Sequence, residues 1–363
     1  MLLVPCSFSV MLVDGQHFRT IWFDEKDQVV RIIDQTRLPH HFKILELNTL
    51  EDSCFAIRTM QVRGAPLIGA TAAFGLYLAL KEDLPFEEAF NQLLATRPTA
   101  VNLRWALDRV AAAVEPLQDH SQRVASTLET AQAICDEDAS NCTDIGRHGV
   151  SLIRDIAQAK KGPVHVLTHC NAGWLATVDR GTAMAPVYEA VENGIDVHVW
   201  VDETRPRNQG ASLTAWELYK QGIPHTVIAD NTGGHLMQNR MVDICLVGSD
   251  RTTFRGNVCN KIGTYLKALA AHDNGVPFYA AVPLSSIDWA SDEIPIETRD
   301  PEEITHIHGL NTQGMLDRVR LTPEGSTAYN VAFDITPARL VSGIITEKGI
   351  FQANEDNLAK IKP

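Results

Sequence analysis

Positive charge is scarce in this sequence, paired cysteines are missing, and no apolar stretch is long. Lysine and arginine number 32 against 45 aspartates and glutamates, a formal net charge of −13. A body this acidic repels nucleic acid and anionic membrane surfaces, so neither is expected as a partner. A small anionic substrate is not excluded, because a local pocket of Arg, Lys and backbone N–H groups suffices for one. The seven cysteines stand at 6, 54, 135, 142, 170, 245 and 259, with no C-x-x-C pair and no zinc spacing. That usage is expected of a reduced, cytoplasmic protein without disulfides. No apolar run approaches the ~18 residues of a transmembrane helix. The opening "MLLVPCSFSVMLVDG" is apolar but lacks a basic n-region, so no signal peptide is expected. Its first ten residues carry no charge and no pattern joining them to the residues beyond Met11. They are expected to be dispensable, with Met11 as an alternative start.

Glycine fingerprints are missing too. There is no G-x-G-x-x-G after a strand and no G-x-x-x-x-G-K-[ST], so neither a dinucleotide nor a nucleoside triphosphate is expected. His165 and His169 lie four apart, and "HIHG" at 306–309 is a lone pair, without Cys or carboxylate company at ligand spacing. No metal and no cofactor are therefore expected.

What is present is a chain of 363 residues, long enough for about two domains of ~150 residues. Residues 11–48 read as short strands and turns. Helical patterns occupy 72–80 and 101–114, then a long polar-faced stretch over roughly 121–138. "ASNCTDIGRHG" at 139–149 is the best candidate for a joint or a helix break, which divides the chain into a strand-plus-helix domain over 1–140 and a second domain over 141–363. In the second half apolar β-type runs recur at 164–168, 197–201, 225–229, 242–247 and 277–282, separated by helical stretches such as 212–221 and 261–271. Apolar strands alternating with helices indicate a parallel sheet covered on both faces, so the fold class is α/β, with a doubly wound, Rossmann-like C-terminal domain.

In such sheets ligands bind outside the carboxyl ends of the strands. The strand ends here read "THCNAG", "DETRPRNQGAS", "ADNTGG" and "GSDRTTFRGNVCNK". Cys170 is either a small core residue or a thiol made reactive by a helix N-terminus. Asp250 is either a cap or ion-pair partner, or a proton donor or acceptor in an apolar pocket. In "VRGAPLIGA", Arg63, Gly64 and Ala65 precede a Pro suited to a first helical turn, and small residues let N–H groups approach an anion. Arg97 in "TRPTAVNL" repeats the pattern. "CNKIGTYLKALAA" reads as a helix start with Asn260 as cap and Lys261 in the first turn, where a cation is unfavourable unless an anion sits nearby. Gln209 either serves substrate hydroxyls or finishes a turn.

Together with "FDITPARLVSGIIT", these motifs resemble the methylthioribose-1-phosphate isomerase family, from about Met11 to Gly349. The same superfamily holds ribose-1,5-bisphosphate isomerases and regulatory subunits of a translation-initiation exchange factor. The resemblance implies a small N-terminal domain, a Rossmann-like C-terminal domain, a homodimer, and no metal or cofactor. It implies that Cys170 and Asp250 are the catalytic pair, and that Arg63, Gly64, Ala65, Arg97, Gln209, Asn260 and Lys261 bind the phosphosugar. Phosphate on the anomeric oxygen prevents spontaneous opening of the sugar. An acid must therefore protonate the ring oxygen (Asp250), and hydrogen then moves from C2 to C1, as a proton through Cys170 or as a hydride. "ADNTGGHLMQ" and "RTTFRGNVCN" depart from the family pattern beside the site, which leaves the C5 substituent open between methylthio and deoxy. Two other readings remain. A non-catalytic regulatory subunit would have no reason to keep Cys170, Asp250, Arg63, Arg97 and Lys261 together, and a nucleotide-binding oxidoreductase lacks its glycine fingerprint.

Overall fold

The computed structural model describes residues 11–97 and 100–363. The N-terminal ten residues, expected to be dispensable, lie outside the described residues, as do Pro98 and Thr99 of "TRPTAVNL".

The described chain begins with short antiparallel strands, of which Ile21–Asp24, Val29–Ile33 and Ile44–Leu47 form a three-stranded sheet. Five helices come next: α1 (Leu50–Arg58), α2 (Ala65–Lys81), α3 (Phe86–Leu94), α4 (Val101–Val114) and α5 (His120–Ala159). Thr49 and Asp52 form a reciprocal capping box that starts α1. α2 is apolar all round, and only Pro66 and Lys81 escape burial. It is therefore the central helix, enclosed by α1, α3, α4 and α5.

α5 runs for 40 residues and passes straight through 139–149, so the stretch read as a joint is mid-helix. The reason lies in its packed stripe. Ile134, Cys135, Asp138, Cys142, Ile145, Gly149, Val150 and Ile153 recur at helical spacing and are all buried. The glycines that read as a break serve close approach instead: a Cβ on Gly149 would sit 2.4 Å from Pro186 Cγ on the next helix.

The second half builds one seven-stranded sheet from β1 (Val164–Thr168), β2 (Val197–Asp202), β3 (His225–Ile228), β4 (Ile244–Val247), β5 (Phe278–Ala281), β6 (Gly343–Thr346) and β7 (Gly349–Phe351). Its order is β3-β2-β1-β4-β5-β6-β7, parallel except for the edge strand β7. The first six strands take the 3-2-1-4-5-6 order of doubly wound folds, whose switch point falls between β1 and β4. Alternate residues feed two cores. Val166, Ile244 and Leu246 join the core with α5, α6 (Ala185–Glu192) and α7 (Ala215–Lys220). Leu167, Cys245 and Val247 join the other, with α8 (Thr232–Gln238) and α9 (Thr264–Asp273). No helix among the described residues is long and apolar enough to cross a membrane.

Contrary to expectation, Asn260 and Lys261 do not open a helix. They end the strand Val258–Lys261, which is paired antiparallel with Arg251–Thr253 on one side and Phe333–Thr336 on the other. α9 starts only at Thr264, after Gly263 at φ 104°. Lys261 therefore never opposes a helix dipole, and its place beside an anion rests on other grounds.

Candidate active site

β1 ends at Thr168, and the chain turns sharply at Cys170, whose φ of 68° lies in the left-handed region. Such a backbone is costly for a residue with a Cβ and needs outside support. Three contacts supply it. The Cys170 N–H donates to Thr204 Oγ1 at 2.8 Å, the Thr214 hydroxyl donates to Cys170 O at 2.7 Å, and the thiol lies 3.6 Å from Gln209 Oε1. Thr204 is itself at φ 64°, and Asp230 holds it by accepting from the N–H groups of Thr204 and Arg205 at 2.7 and 2.8 Å. The segment 204–214, which includes a π-helical turn over Gly210–Thr214, thus cradles the thiol.

The residue after the thiol is equally constrained. Asn171 Nδ2 donates to Thr214 Oγ1 at 3.1 Å and to Glu217 Oε1 at 2.9 Å, which turns its side-chain carbonyl toward Arg63. Arg63 then donates to Asn171 Oδ1 and, at 2.7 Å, to Asn171 O. Glu217 is fully buried and also accepts from the N–H groups of Trp174 and Leu175 and from Tyr188 Oη, at 2.9, 2.7 and 2.9 Å. Four donors around one carboxylate need an acceptor-only partner. Gly64, at φ 91°, precedes α2 so closely to the loop after Cys170 that a Cβ there would lie 2.3 Å from Ala176 O.

Asp250 lies just past β4, and its N–H donates to Cys259 O at 2.9 Å. It borders the cavity and is only partly buried, yet the protein packed around it strips water from its carboxyl and pushes its pKa above the ordinary range; Lys261, Arg97 and Arg63 pull the other way. Lys261 is 9 % exposed, and burial lowers its pKa against the opposing pull of Cys170 and Asp250. Its ammonium sits 4.5 Å from the centre of the Phe333 ring. Asn260 Nδ2 donates to Thr264 Oγ1 at 3.1 Å.

All nine residues singled out in the sequence border one cavity: Arg63, Gly64, Ala65, Arg97, Cys170, Gln209, Asp250, Asn260 and Lys261. The cavity lies beyond the C-terminal ends of β1 and β4, where the strand order reverses. It also includes residues that sequence reasoning passes over, among them Met60, Ser249, Arg299 and Phe333. Glu217 lies in "ASLTAWEL", just beyond the strand-end stretch "DETRPRNQGAS", and a glutamate in an otherwise apolar helical face is the available signal. Arg299 follows no apolar strand and carried none.

His169 does have carboxylate company, brought from other strands: its ligand atoms and those of Asp202 and Asp230 lie within 4.8 Å of one another. Most of these atoms are spent on protein contacts, while Asp202 Oδ1 is buried with no hydrogen-bond partner among the described residues. His169 Nδ1 meets Asp202 Oδ2 and Nε2 meets Ile262 O, both at 2.8 Å, while Lys267 Nζ lies 3.1 Å from the same Asp202 oxygen. His165 likewise lies 3.5 Å from Asp243.

The model of the Initiation factor 2 subunit family matches residues 61–353 of this chain. The chain is 58% identical to the methylthioribose-1-phosphate isomerase of Methylorubrum extorquens over 360 residues, covering 97% of this chain and 98% of that one. It is 54% identical to the Escherichia coli protein of the same name, covering 96% of each. Among solved structures it resembles 5-methylthioribose 1-phosphate isomerase from Pyrococcus horikoshii, with a TM-score of 0.81, 39% identity, and coverage of 95% of this chain and 96% of that one. It also resembles translation initiation factor eIF-2B, subunit delta, from A. fulgidus, with a TM-score of 0.77, 36% identity, and coverage of 95% and 99%.

Proposed function

Because this chain belongs to the initiation factor 2 subunit family and, within it, to the methylthioribose-1-phosphate isomerases, we propose that it converts 5-methylthioribose 1-phosphate to 5-methylthioribulose 1-phosphate, a step of methionine salvage, with Cys170 and Asp250 as the catalytic pair. The observation that supports the site assignment is the convergence of nine residues, from six separate stretches of the sequence, on one cavity at the sheet's switch point.

The reaction begins with a ring that cannot open unaided. Asp250, held toward its protonated form by loss of water, gives its proton to the ring oxygen as the C1–O bond breaks. The phosphate stays on C1, within reach of Arg63, Arg97 and Lys261. Hydrogen then passes from C2 to C1. In one route the Cys170 thiolate removes it as a proton, leaving an enediol phosphate, and returns it to C1. In the other it migrates with its electron pair to C1. Either way the C2 hydroxyl proton goes to the Asp250 carboxylate, C2 becomes the ketone, and the acid is restored. Lys261, whose proton affinity responds to both Cys170 and Asp250, supports negative charge on either group. Gln209, Asn260 and the N–H groups of Gly64 and Ala65 are assigned to the sugar and its phosphate.

We further propose a cytoplasmic homodimer. The free, buried state of the described cysteines fits a reducing compartment. The exposed side chains of Leu310, Met315, Leu316, Val319 and Leu321, on and beside the hairpin of strands His306–Leu310 and Leu316–Arg320, give a partner subunit an apolar face.

The test is a side-by-side assay of the purified protein with 5-methylthioribose 1-phosphate and 5-deoxyribose 1-phosphate. A higher kcat/KM for the methylthio sugar is expected, and preference for the deoxy sugar would reassign the substrate. Deuterium placed at C2 separates the two routes: full retention at C1 marks hydride migration, and washout to solvent marks the thiolate.

A further inference from the structure

The segment between strand Ile287–Asp288 and strand Phe333–Thr336 reaches back across the cavity, where Arg299 lines the wall together with Arg97 and Lys261. A single carboxylate bridges the two guanidiniums. Arg97 Nη2 donates to Glu297 Oε2 at 3.2 Å, and Arg299 Nη1 donates to Glu297 Oε1 at 3.1 Å. Arg299 Nε donates to Glu303 at 3.3 Å, but the contact found for its remaining nitrogen, Nη2, is the Met60 thioether at 3.6 Å, a weak acceptor. Arg97 Nε is buried with no acceptor among the described residues. Burial and the neighbouring charges of Arg97 and Arg207 press on the Arg299 guanidinium, while Glu297 and Glu303 hold it in place.

Two forked cations that share one carboxylate and line the same cavity as Lys261 form a site for an oxyanion of high charge. Arginine suits this role because its planar fork matches phosphate geometry. We propose that Arg299 is a further substrate-binding residue, a fourth cation of the phosphate site beside Arg63, Arg97 and Lys261, and that Glu297 is the positioning residue that holds Arg97 and Arg299 at the spacing a phosphate spans. The proposal rests on the reading of this cavity as a phosphosugar site.

Inorganic phosphate is the probe, because its binding can be measured without turnover. Calorimetric titration of the wild-type protein and of Arg299→Gln is expected to show affinity for phosphate falling about ten- to a hundredfold, the loss of one charge-assisted contact. In steady-state assays KM for the phosphosugar rises by a similar factor while kcat stays within a few fold, because the contact persists from ground state to transition state. Arg299→Lys, which keeps the charge without the fork, is expected to fall between the two proteins. It is also the variant to be read should Arg299→Gln fail to fold. Glu297→Gln is expected to weaken phosphate binding less than Arg299→Gln, and to do so through both arginines at once. Unchanged phosphate affinity in a folded Arg299→Gln, or in Arg299→Lys if only that variant folds, overturns the proposal. Absence of isomerase activity in the wild-type protein would instead overturn the catalytic reading, and the phosphate titration would still decide the role of Arg299.

Discussion

Glu217 Oε1 accepts the Asn171 Nδ2 hydrogen at 2.9 Å, and that bond points the Asn171 carbonyl at Arg63. A buried carboxylate with no direct place at the cavity thereby orients a residue that has one. Because all four partners of Glu217 are donors, Glu217→Gln sets an NH₂ group against N–H and O–H groups and leaves buried donors unpaired. The expected cost is about 1–3 kcal/mol of stability, with KM raised roughly tenfold. A double-mutant cycle with Arg63→Ala separates positioning from general damage: the two effects on KM are expected to be strongly non-additive. Additive effects would show that Glu217 does not act through Arg63.

In the proposed mechanism Asp250 gives up a proton and works only while protonated, and loss of water has raised its pKa, so kcat is expected to fall on the alkaline side at a pH above the ordinary carboxylate range. Lys261 is the strongest of the charges holding that pKa down. Lys261→Met therefore moves this limb to higher pH, even as the loss of a phosphate contact raises KM. A limb that stays in place, or moves to lower pH, would detach it from Asp250.

Away from the cavity, Asp138 is buried in α5 and accepts the Val178 N–H at 2.7 Å. Burial raises its pKa from 3.8 to about 7. A carboxyl raised on folding favours the native state fully below its unfolded pKa, and this contribution is lost as pH rises through about 7. Asp138→Asn keeps an acceptor for Val178 without the charge. Thermal unfolding from pH 4 to 8 is expected to show the variant nearly level where the wild type declines, and more stable above neutrality, by on the order of 2–4 kcal/mol. Parallel curves would contradict this.

The elements legible in the sequence were those whose pattern is local. β1 and β4 are short β-branched runs ended abruptly by polar residues, so strand, rim and candidate side chains could be read together. α2 announced itself through Pro66 and an unbroken apolar stretch. Asn260 and Lys261 were misplaced because their strand is defined by partners at 251–253 and 333–336, far away in the sequence, and because Gly263 delays the helix by one turn. Gly146 and Gly149 looked like a break because nothing in the sequence shows that Ala185 and Pro186 press against them. Arg299 and the carboxylate company of His169 are long-range meetings, with no signature at either end.

The most direct test of the central claim is turnover of 5-methylthioribose 1-phosphate by Cys170→Ala and Asp250→Asn, followed by NMR, with binding of the same sugar measured by calorimetry. Both variants are expected to bind the phosphosugar with affinity close to that of the wild-type protein while kcat falls ~10²–10⁴-fold, the usual contribution of a positioned acid–base group. A variant that binds and turns over at near wild-type kcat would remove that residue from the chemistry and contradict the assignment of the pair.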